Sequence, residues 1–276
     1  MPLDNHVNLS LHTISERDDA YVFRLATEDD IPFLMKEDEY YREFYALSSF
    51  RDKAHWKYLL TESLKTEYGS EYWILESKDR SKKFYCRIPE HGFGEGLIIS
   101  EISENMSIDA AQSLFAFCKD KAIERSKPYI RLNLHNDSVA AKLAIAMGVK
   151  EGNPYAWQIK TPDTIRLLKR MSPVFEKRIR ESSFRGFSGK IRLDFYKRKV
   201  DLLWENGELK SVSAGEGECA YSFSINADLY PVLVLGHRSW QELRYSRPDI
   251  FPNSDYSALF METLFPPLRS WIHEQY

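Results

Sequence analysis

The chain has 276 residues, of which 43% are hydrophobic and 29% are charged, an ordinary balance for a folded protein. This length exceeds the usual size of one domain, so we expect two. The formal charge of −3 lacks the basic excess that is typical of nucleic-acid-binding proteins, and no apolar run approaches the roughly 18 residues that cross a bilayer.

The first part of the chain predicts a mixed sheet. Residues 1–19 form a polar lead-in or linker segment in which Val7, Leu9 and Leu11 alternate as in a short strand. Apolar periodicity then predicts helices from residue 28 onward and over 52–65, 109–125 and 138–148. It predicts strands at 21–26, 71–77, 83–88, 96–103, 129–135 and 155–160. This order favours an α/β sheet with helices on both faces.

The second part predicts a smaller α+β domain. A basic helix lies within 161–183, and the next strands lie at 190–197, 199–205 and 219–226. Asn206-Gly207 separates two alternating runs, which is the strongest short signal for a hairpin. Helices are predicted at 228–236, 239–245 and 255–265.

The cysteines and histidines indicate neither disulfides nor a metal. Cys86, Cys118 and Cys219 form no CxxC pair, so we expect reduced thiols in a cytoplasmic protein. The histidines lack ligand spacing, and no metal site is predicted. The N-terminal residues also lack the basic and apolar segments of a signal peptide.

The stretch HGFGEG, residues 91–96, has three glycines that could suggest a phosphate-binding loop. Such a loop needs a strand before the glycines and a helix directly after them. Here the glycines precede a strand, so we predict an ordinary turn between strands.

Two resemblances suggest a family. The element order over 20–153 resembles the GNAT N-acetyltransferase fold. Residues 154–276 resemble the sterol-carrier-protein-like domain of enhanced-intracellular-survival (Eis) type acetyltransferases, and four stretches carry the likeness: PYAWQIKTPDTIRLLKRMSPVFEKRI, GKIRLDFYKRKVDLLWENGELKSV, LVLGHRSWQELR and LFMETLFPPLRSWI. The expected chain is α+β, with a lead-in at 1–19, a GNAT-like domain at 20–160 and a sterol-carrier-like domain at 161–276.

The resemblance implies acetylation of amines by acetyl-CoA in a homo-oligomer. In that family two GNAT units precede the carrier-like domain, and the first is the working enzyme. This chain has room for one unit, in the second position. We therefore expect a missing or separate catalytic GNAT domain, or a fragment of a longer protein.

The residues at the positions of the family's chemistry differ from its motifs. GNAT enzymes hold the CoA pyrophosphate in a glycine loop that corresponds here to SENMSIDAAQ, residues 103–112, which has no glycine or arginine and contains Glu104 and Asp109. When the chain is aligned on Gly148, Ala144 stands where the family's proton-donating tyrosine is expected. We therefore predict no cofactor-binding residues, no bound acetyl-CoA, and a scaffold or substrate-shaping role.

Two residues carry candidate catalytic roles. Glu101 lies in the strand where some GNAT enzymes keep a base, although it could instead face solvent or a polar groove. The family's C-terminal carboxylate, which acts as a base in the first GNAT unit, corresponds to Tyr276. We expect it to find no site within this chain alone.

Three further possibilities stay open. Glu37, Asp38 and Glu39 could attract cationic amines, or they could lie on a solvated helix face above a core of Tyr40, Phe44 and Leu47. The chain could be an active acetyltransferase with an atypical CoA loop. It could also be a lipid-binding module whose apolar pocket, or simply its filled core, is formed by Phe195, Leu203, Trp204, Leu233, Leu235, Leu259 and Leu264.

Overall fold

A computed structural model describes residues 2–5, 7–16, 20–92, 94–149, 154–156 and 159–273. The chain divides into two compact units. One is Pro2–Trp157 together with Trp271–Tyr276, and the other is Gln158–Ser270. The described residues from Trp271 onward therefore pack within the first unit.

The first unit follows the predicted order of elements. Its strands are β1 (Pro2–Asn5), β2 (Val7–Ser10), β3 (Tyr21–Leu25), β4 (Ser70–Ser77), β5 (Lys83–Pro89), β6 (Leu97–Ile99), β7 (Glu101–Ile102), β8 (Tyr129–Leu132) and β9 (Pro154–Ala156). Its α-helices are α1 (Ile31–Phe44), α2 (Lys53–Leu60), α3 (Ile108–Glu124) and α4 (Val139–Ala146).

One extended run changes sheets at Ser100. The antiparallel sheet has the order β3-β4-β5-β7, whereas β6 pairs in parallel with β8, which also pairs with β2. The Ile99 carbonyl accepts from the Asn133 N–H at 2.9 Å, and the Ser100 N–H donates to the Arg87 carbonyl at 3.0 Å. The strand predicted over 96–103 is therefore two short strands that separate just before Glu101.

Two cores lie on opposite faces of the antiparallel sheet β3-β4-β5-β7, because side chains alternate along its strands. On one face Phe84, Cys86 and Ile88 of β5 pack with α3. On the other face Tyr85 packs with Trp56 and its neighbours on α1 and α2. The expectation of helices on both faces is confirmed.

The helices are close to their predicted bounds, with local differences. The apolar side chains that recur at helical spacing along α3 are buried, except that of Ile123, which is 61% exposed. α2 ends at Leu60 and is followed by a 3-10 turn at Ser63–Lys65, so the helix predicted over 52–65 is shorter. A strand over Val7–Ser10 lies within the lead-in segment and pairs with Tyr129–Leu132.

The second unit is built on a five-stranded sheet of order β12-β11-β10-β13-β14. Only the β10–β13 pair among these neighbours is parallel. The strands are β10 (Gly189–Asp194), β11 (Lys199–Glu205), β12 (Glu208–Ala214), β13 (Tyr221–Ser224) and β14 (Phe251–Pro252). The helices are α5 (Thr164–Arg170), α6 (Ser172–Arg180), α7 (Tyr230–Val234), α8 (Trp240–Ser246) and α9 (Asp255–Leu264).

The hairpin predicted at Asn206-Gly207 joins β11 to β12. Both residues have positive φ, 49° and 79°, as a type I′ turn requires. The strand predicted over 190–197 ends earlier, at Asp194, because the Phe195 N–H bonds the Arg198 carbonyl at 2.8 Å and closes a turn.

In the stretch HGFGEG, Gly96 allows the turn to pack closely against a neighbouring strand. A Cβ on Gly96 would lie 2.3 Å and 2.6 Å from ring atoms of Tyr129 and 3.1 Å from its carbonyl oxygen. A Cβ on Gly92 would meet only the flexible end of Ile98. The glycine at position 96 is therefore needed for close approach of the turn to the base of β8.

Gly96→Ala should lower the free energy of unfolding by about 1–3 kcal/mol, because the added methyl group overpacks against Tyr129. Gly92→Ala is the matched control and should cost less than about 1 kcal/mol, since the Ile98 methyl can rotate away. Urea denaturation of both variants measures the difference. Equal losses of stability would contradict the assigned role of Gly96.

Candidate functional site

A fully buried ion pair lies at the point where the strands separate. Glu101, the first residue of β7, is buried and receives both Nη atoms of Arg51 at 2.7 Å and 2.9 Å. The Tyr85 hydroxyl donates to the same carboxylate at 2.5 Å. Burial by itself would raise the pKa of Glu101, but the charge and hydrogen bonds of Arg51 together with the other nearby charges outweigh it and hold the pKa well below its ordinary range.

A second buried carboxylate borders the same guanidinium. Asp38 of α1 accepts from the Trp56 Nε1–H at 3.0 Å, and its oxygen lies 3.8 Å from Arg51 Nη1. Burial raises the pKa of Asp38 to about 7, despite the nearby charge of Arg51 and with a further contribution from Glu101. Asp38 thus exchanges a proton near neutral pH, whereas Glu101 stays ionised.

The C-terminal segment Trp271–His273 is buried beside this ion pair, and the space that it occupies between Tyr41, His135 and Glu101 is called the cleft. The Trp271 N–H donates to the Leu47 carbonyl at 2.9 Å, and its indole meets the His135 ring edge-on at 5.2 Å. His273 contacts the Tyr41 ring at 4.4 Å, and its Nδ1 lies 3.6 Å from Glu101 Oε2. The described part of the tail thus lies in the first unit, whereas Tyr276, whose carboxylate was expected to find no site within this chain alone, lies outside the described residues.

The N-terminus of α3 already holds a carboxylate of the chain. Asp109 in the first turn accepts from the Tyr21 hydroxyl at 2.7 Å and from Lys82 Nζ at 3.1 Å. The nearby hydroxyl groups of Ser107 and Tyr21 are the main cause that holds the pKa of Asp109 well below its ordinary range. In the preceding loop, Glu104 accepts from the Tyr45 hydroxyl at 3.2 Å.

The acidic stretch of α1 is oriented differently from the predicted solvated face above a core that includes Phe44. Glu37 and Asp38 are buried, Glu39 is exposed, and Phe44 is 40% exposed. The helix therefore turns two carboxylates, rather than Phe44, toward the interior. Arg51 and Trp56 make this possible for Asp38 by supplying a charge and a hydrogen bond.

The seven residues predicted for an apolar pocket are divided between the core and the surface of the second unit. Phe195, Trp204, Leu233 and Leu264 are core residues, and Leu235 packs against that core. Leu203 and Leu259 are 40% and 55% exposed.

The other residues singled out from the sequence have clear positions. Ala144 is fully buried in the first core, and Tyr276 lies outside the described residues. Cys86, Cys118 and Cys219 are free thiols. Within the described ranges, no group of three metal-ligating side chains occurs, and no helix is both long and apolar enough to cross a bilayer.

The sequence did not identify Arg51, Tyr85, Trp271 or His273 as parts of this site. Arg51 follows Phe50 in an irregular segment without periodicity, and the last two lie beyond α9. The one available signal was Glu101 itself, since an acidic residue in an otherwise apolar strand requires either solvent or a partner.

A cavity of about 350 Å³ lies between α3, α4 and the segment after β2. Its apolar lining includes Ile14, Phe115, Leu143 and Met147, and Ser113 contributes polar surface. It is a separate space from the buried ion pair.

Arg51→Met should lower the free energy of unfolding by about 3–5 kcal/mol, because it leaves Glu101 charged and unpaired in the interior. The exposed pair Lys65–Glu62 is the control, and Glu62→Gln should cost less than about 1 kcal/mol. Adding Glu101→Gln to Arg51→Met should recover more than half of the loss, since no unpaired charge is left. Denaturant titration of the variants tests this, and an Arg51→Met cost no larger than the control would contradict it.

No protein-family model and no curated protein sequence matches the chain. Among solved structures, a GCN5-related N-acetyltransferase from Anabaena variabilis is similar with a TM-score of 0.57 at 12% identity, covering 98% of this chain and 66% of that one. For one from Kribbella flavida the TM-score is 0.59 at 10% identity, with 98% and 64% covered. A conserved protein from Enterococcus faecalis, described as a probable N-acyltransferase, has a TM-score of 0.50 at 12% identity, with 100% and 68% covered.

The chain spans about two thirds of the length of these structures, from 64% to 68%. Likeness at this level of identity shows the fold. The α+β expectation is therefore confirmed, and the chain has the fold of the GCN5-related N-acetyltransferases.

Proposed function

We propose that this chain is the scaffold and substrate-shaping part of an acetyl-CoA-dependent amine acetyltransferase of the Eis type, and that its own GNAT unit does not bind acetyl-CoA. The observation that carries the proposal is the N-terminus of α3, where Asp109 is held by Tyr21 and Lys82. An acetyltransferase of this fold needs that helix end for pyrophosphate, because free N–H groups and the helix dipole attract anions there. A carboxylate in the first turn repels the same ligand.

The loop before α3 supports the same conclusion. Residues 103–107 contain no glycine that would let a phosphate approach the backbone, and they contribute Glu104. A pyrophosphate placed here would meet two carboxylates, Glu104 and Asp109. Electrostatic repulsion of this kind is not offset by Lys82, since its ammonium is already paired with Asp109.

The two positions expected to supply a proton donor and a base for acetyl transfer also do not suit these roles. Ala144 cannot donate a proton to a departing thiolate, and it lies in the core. Glu101 is a weak base because Arg51 stabilises its ionised form, and it is shielded from solvent. The first unit thus keeps the architecture of an acyltransferase but uses the equivalent positions for packing.

The sterol-carrier-like resemblance of residues 154–276 supports the Eis type. In this proposal a separate catalytic GNAT unit supplies acetyl-CoA chemistry, and the complete enzyme is a cytoplasmic homo-oligomer. The two domains described by the resemblance, 20–160 and 161–276, then shape the acceptor site of that unit.

A second candidate is an active acetyltransferase that binds CoA in an atypical place. The cavity between α3 and α4 favours it, because it offers apolar surface from Leu143 and Met147 beside the polar Ser113. For catalysis in this case Glu101 would have to exchange Arg51 for the substrate amine.

Calorimetric titration of acetyl-CoA into the purified chain should give no binding heat at millimolar ligand. The matched variant Leu143→Arg fills the cavity between α3 and α4 and should behave identically. Micromolar binding by the natural chain that Leu143→Arg abolishes would contradict the proposal and establish the second candidate, provided that acetylation of a primary amine accompanies it. Binding that Leu143→Arg leaves unchanged would place the ligand elsewhere and would also overturn the scaffold proposal.

A further inference from the structure

The C-terminal segment is seated mainly by its two aromatic side chains. Trp271 and His273 are 6% and 3% exposed, although the segment belongs to no helix or strand. Trp271 completes a small cluster with Tyr41 and Tyr45. Aromatic contacts of this kind contribute about 0.5–1.5 kcal/mol each beyond the burial of their surface.

An opposing cost comes from the imidazole of His273. Neither of its nitrogens has a hydrogen-bond partner among the described residues. A buried polar group without a partner costs about 1–3 kcal/mol. Burial of the two rings and their aromatic contacts therefore hold the segment in place, and the imidazole without hydrogen bonds opposes them.

Burial is the main cause that favours the neutral form of His273, and the surrounding charges act in both directions. It faces Glu101 on β7, Arg51 before α2, Arg87 on β5 and the Tyr41 ring on α1. Glu101 attracts a proton to the imidazole, but that carboxylate is already paired with Arg51 in a bidentate contact. An imidazolium here would be desolvated and would lie near two guanidinium groups.

We propose that Trp271–His273 is a reversible plug, which covers the cleft at Glu101 while His273 is neutral and withdraws when the imidazole takes up a proton. While seated, the plug occupies the space beside Tyr41 and Glu101 that any ligand of this cleft would need. It acts in this way whether or not the first unit transfers an acyl group.

The pH dependence has a definite sign. Burial is the largest cause that lowers the pKa of His273 to about 3, against 6.5 for an ordinary histidine. The withdrawn segment binds a proton more readily than the seated one. The contribution of the neutral imidazole to the seated state is therefore fully present above pH 6.5 and is lost progressively as the pH falls toward 3. Between pH 7.5 and 5.0 the seating equilibrium should fall about 30-fold.

Hydrogen exchange of the Trp271 amide tests the plug, because that N–H is bonded to Leu47 only in the seated state. Protection is expressed relative to a synthetic peptide SWIHEQY at each pH, which removes the intrinsic pH dependence of exchange. The natural chain should lose about 30-fold in protection between pH 7.5 and 5.0.

His273→Phe is the decisive variant. Phenylalanine keeps a ring against Tyr41, removes no hydrogen bond and cannot be protonated, so its protection should not change between the two pH values. Asp38 also takes up a proton in this range, and it is retained in the variant. His12→Phe, at an exposed histidine, should lose protection as the natural chain does.

Circular dichroism at both pH values establishes that the unit stays folded, and His273→Met serves as a second neutral variant if the phenylalanine form does not fold. An equal loss of protection in the natural chain and the neutral variant would overturn the proposal. So would unchanged protection of the natural chain at pH 5.0.

Discussion

The ion pair between Glu101 and Arg51 is the constraint on which the first unit depends. A carboxylate on a buried strand cannot stay ionised in the interior without a cation and hydrogen bonds. Arg51 therefore has to lie against β7, and this fixes the irregular segment before α2. The Tyr85 hydroxyl supplies a third hydrogen bond from the neighbouring strand.

The strand separation at Ser100 explains why the carboxylate is buried at all. Up to Ile99 the run is paired with β8, and from Glu101 onward it is paired with β5. Its side chains at 99 and 101 consequently meet different neighbours. Glu101 is directed to the α1–α2 face, where Trp56 and Tyr85 belong to the second core.

In the proposed function, polar side chains of the first unit serve structure rather than chemistry. Polar groups that could act on a substrate are engaged with one another: Asp109 with Lys82, Glu101 with Arg51, and Asp38 with Trp56. Each contact gives the polar group a partner within the chain. The remaining space near Glu101 is occupied by the chain's own C-terminal segment.

Local sequence patterns determined much of the architecture. The period of α3, the β4–β5 hairpin and the Asn206-Gly207 turn depend on residues close in sequence, and all three are present. The absence of glycine in residues 103–107 and the alanine at position 144 are likewise properties of the sequence alone. From these it was possible to predict an α+β chain and to question its CoA chemistry.

Only the tertiary structure decided how the polar residues are used. Arg51 and Glu101 are 50 positions apart, and His273 reaches Glu101 from the far end of the chain, so no periodic pattern relates them. The face that α1 turns inward also depended on partners from other elements, which is why Asp38 is buried and Phe44 is partly exposed. Periodicity reports the burial of apolar side chains, whereas the burial of a charge is set by a partner that the fold alone brings within hydrogen-bonding distance.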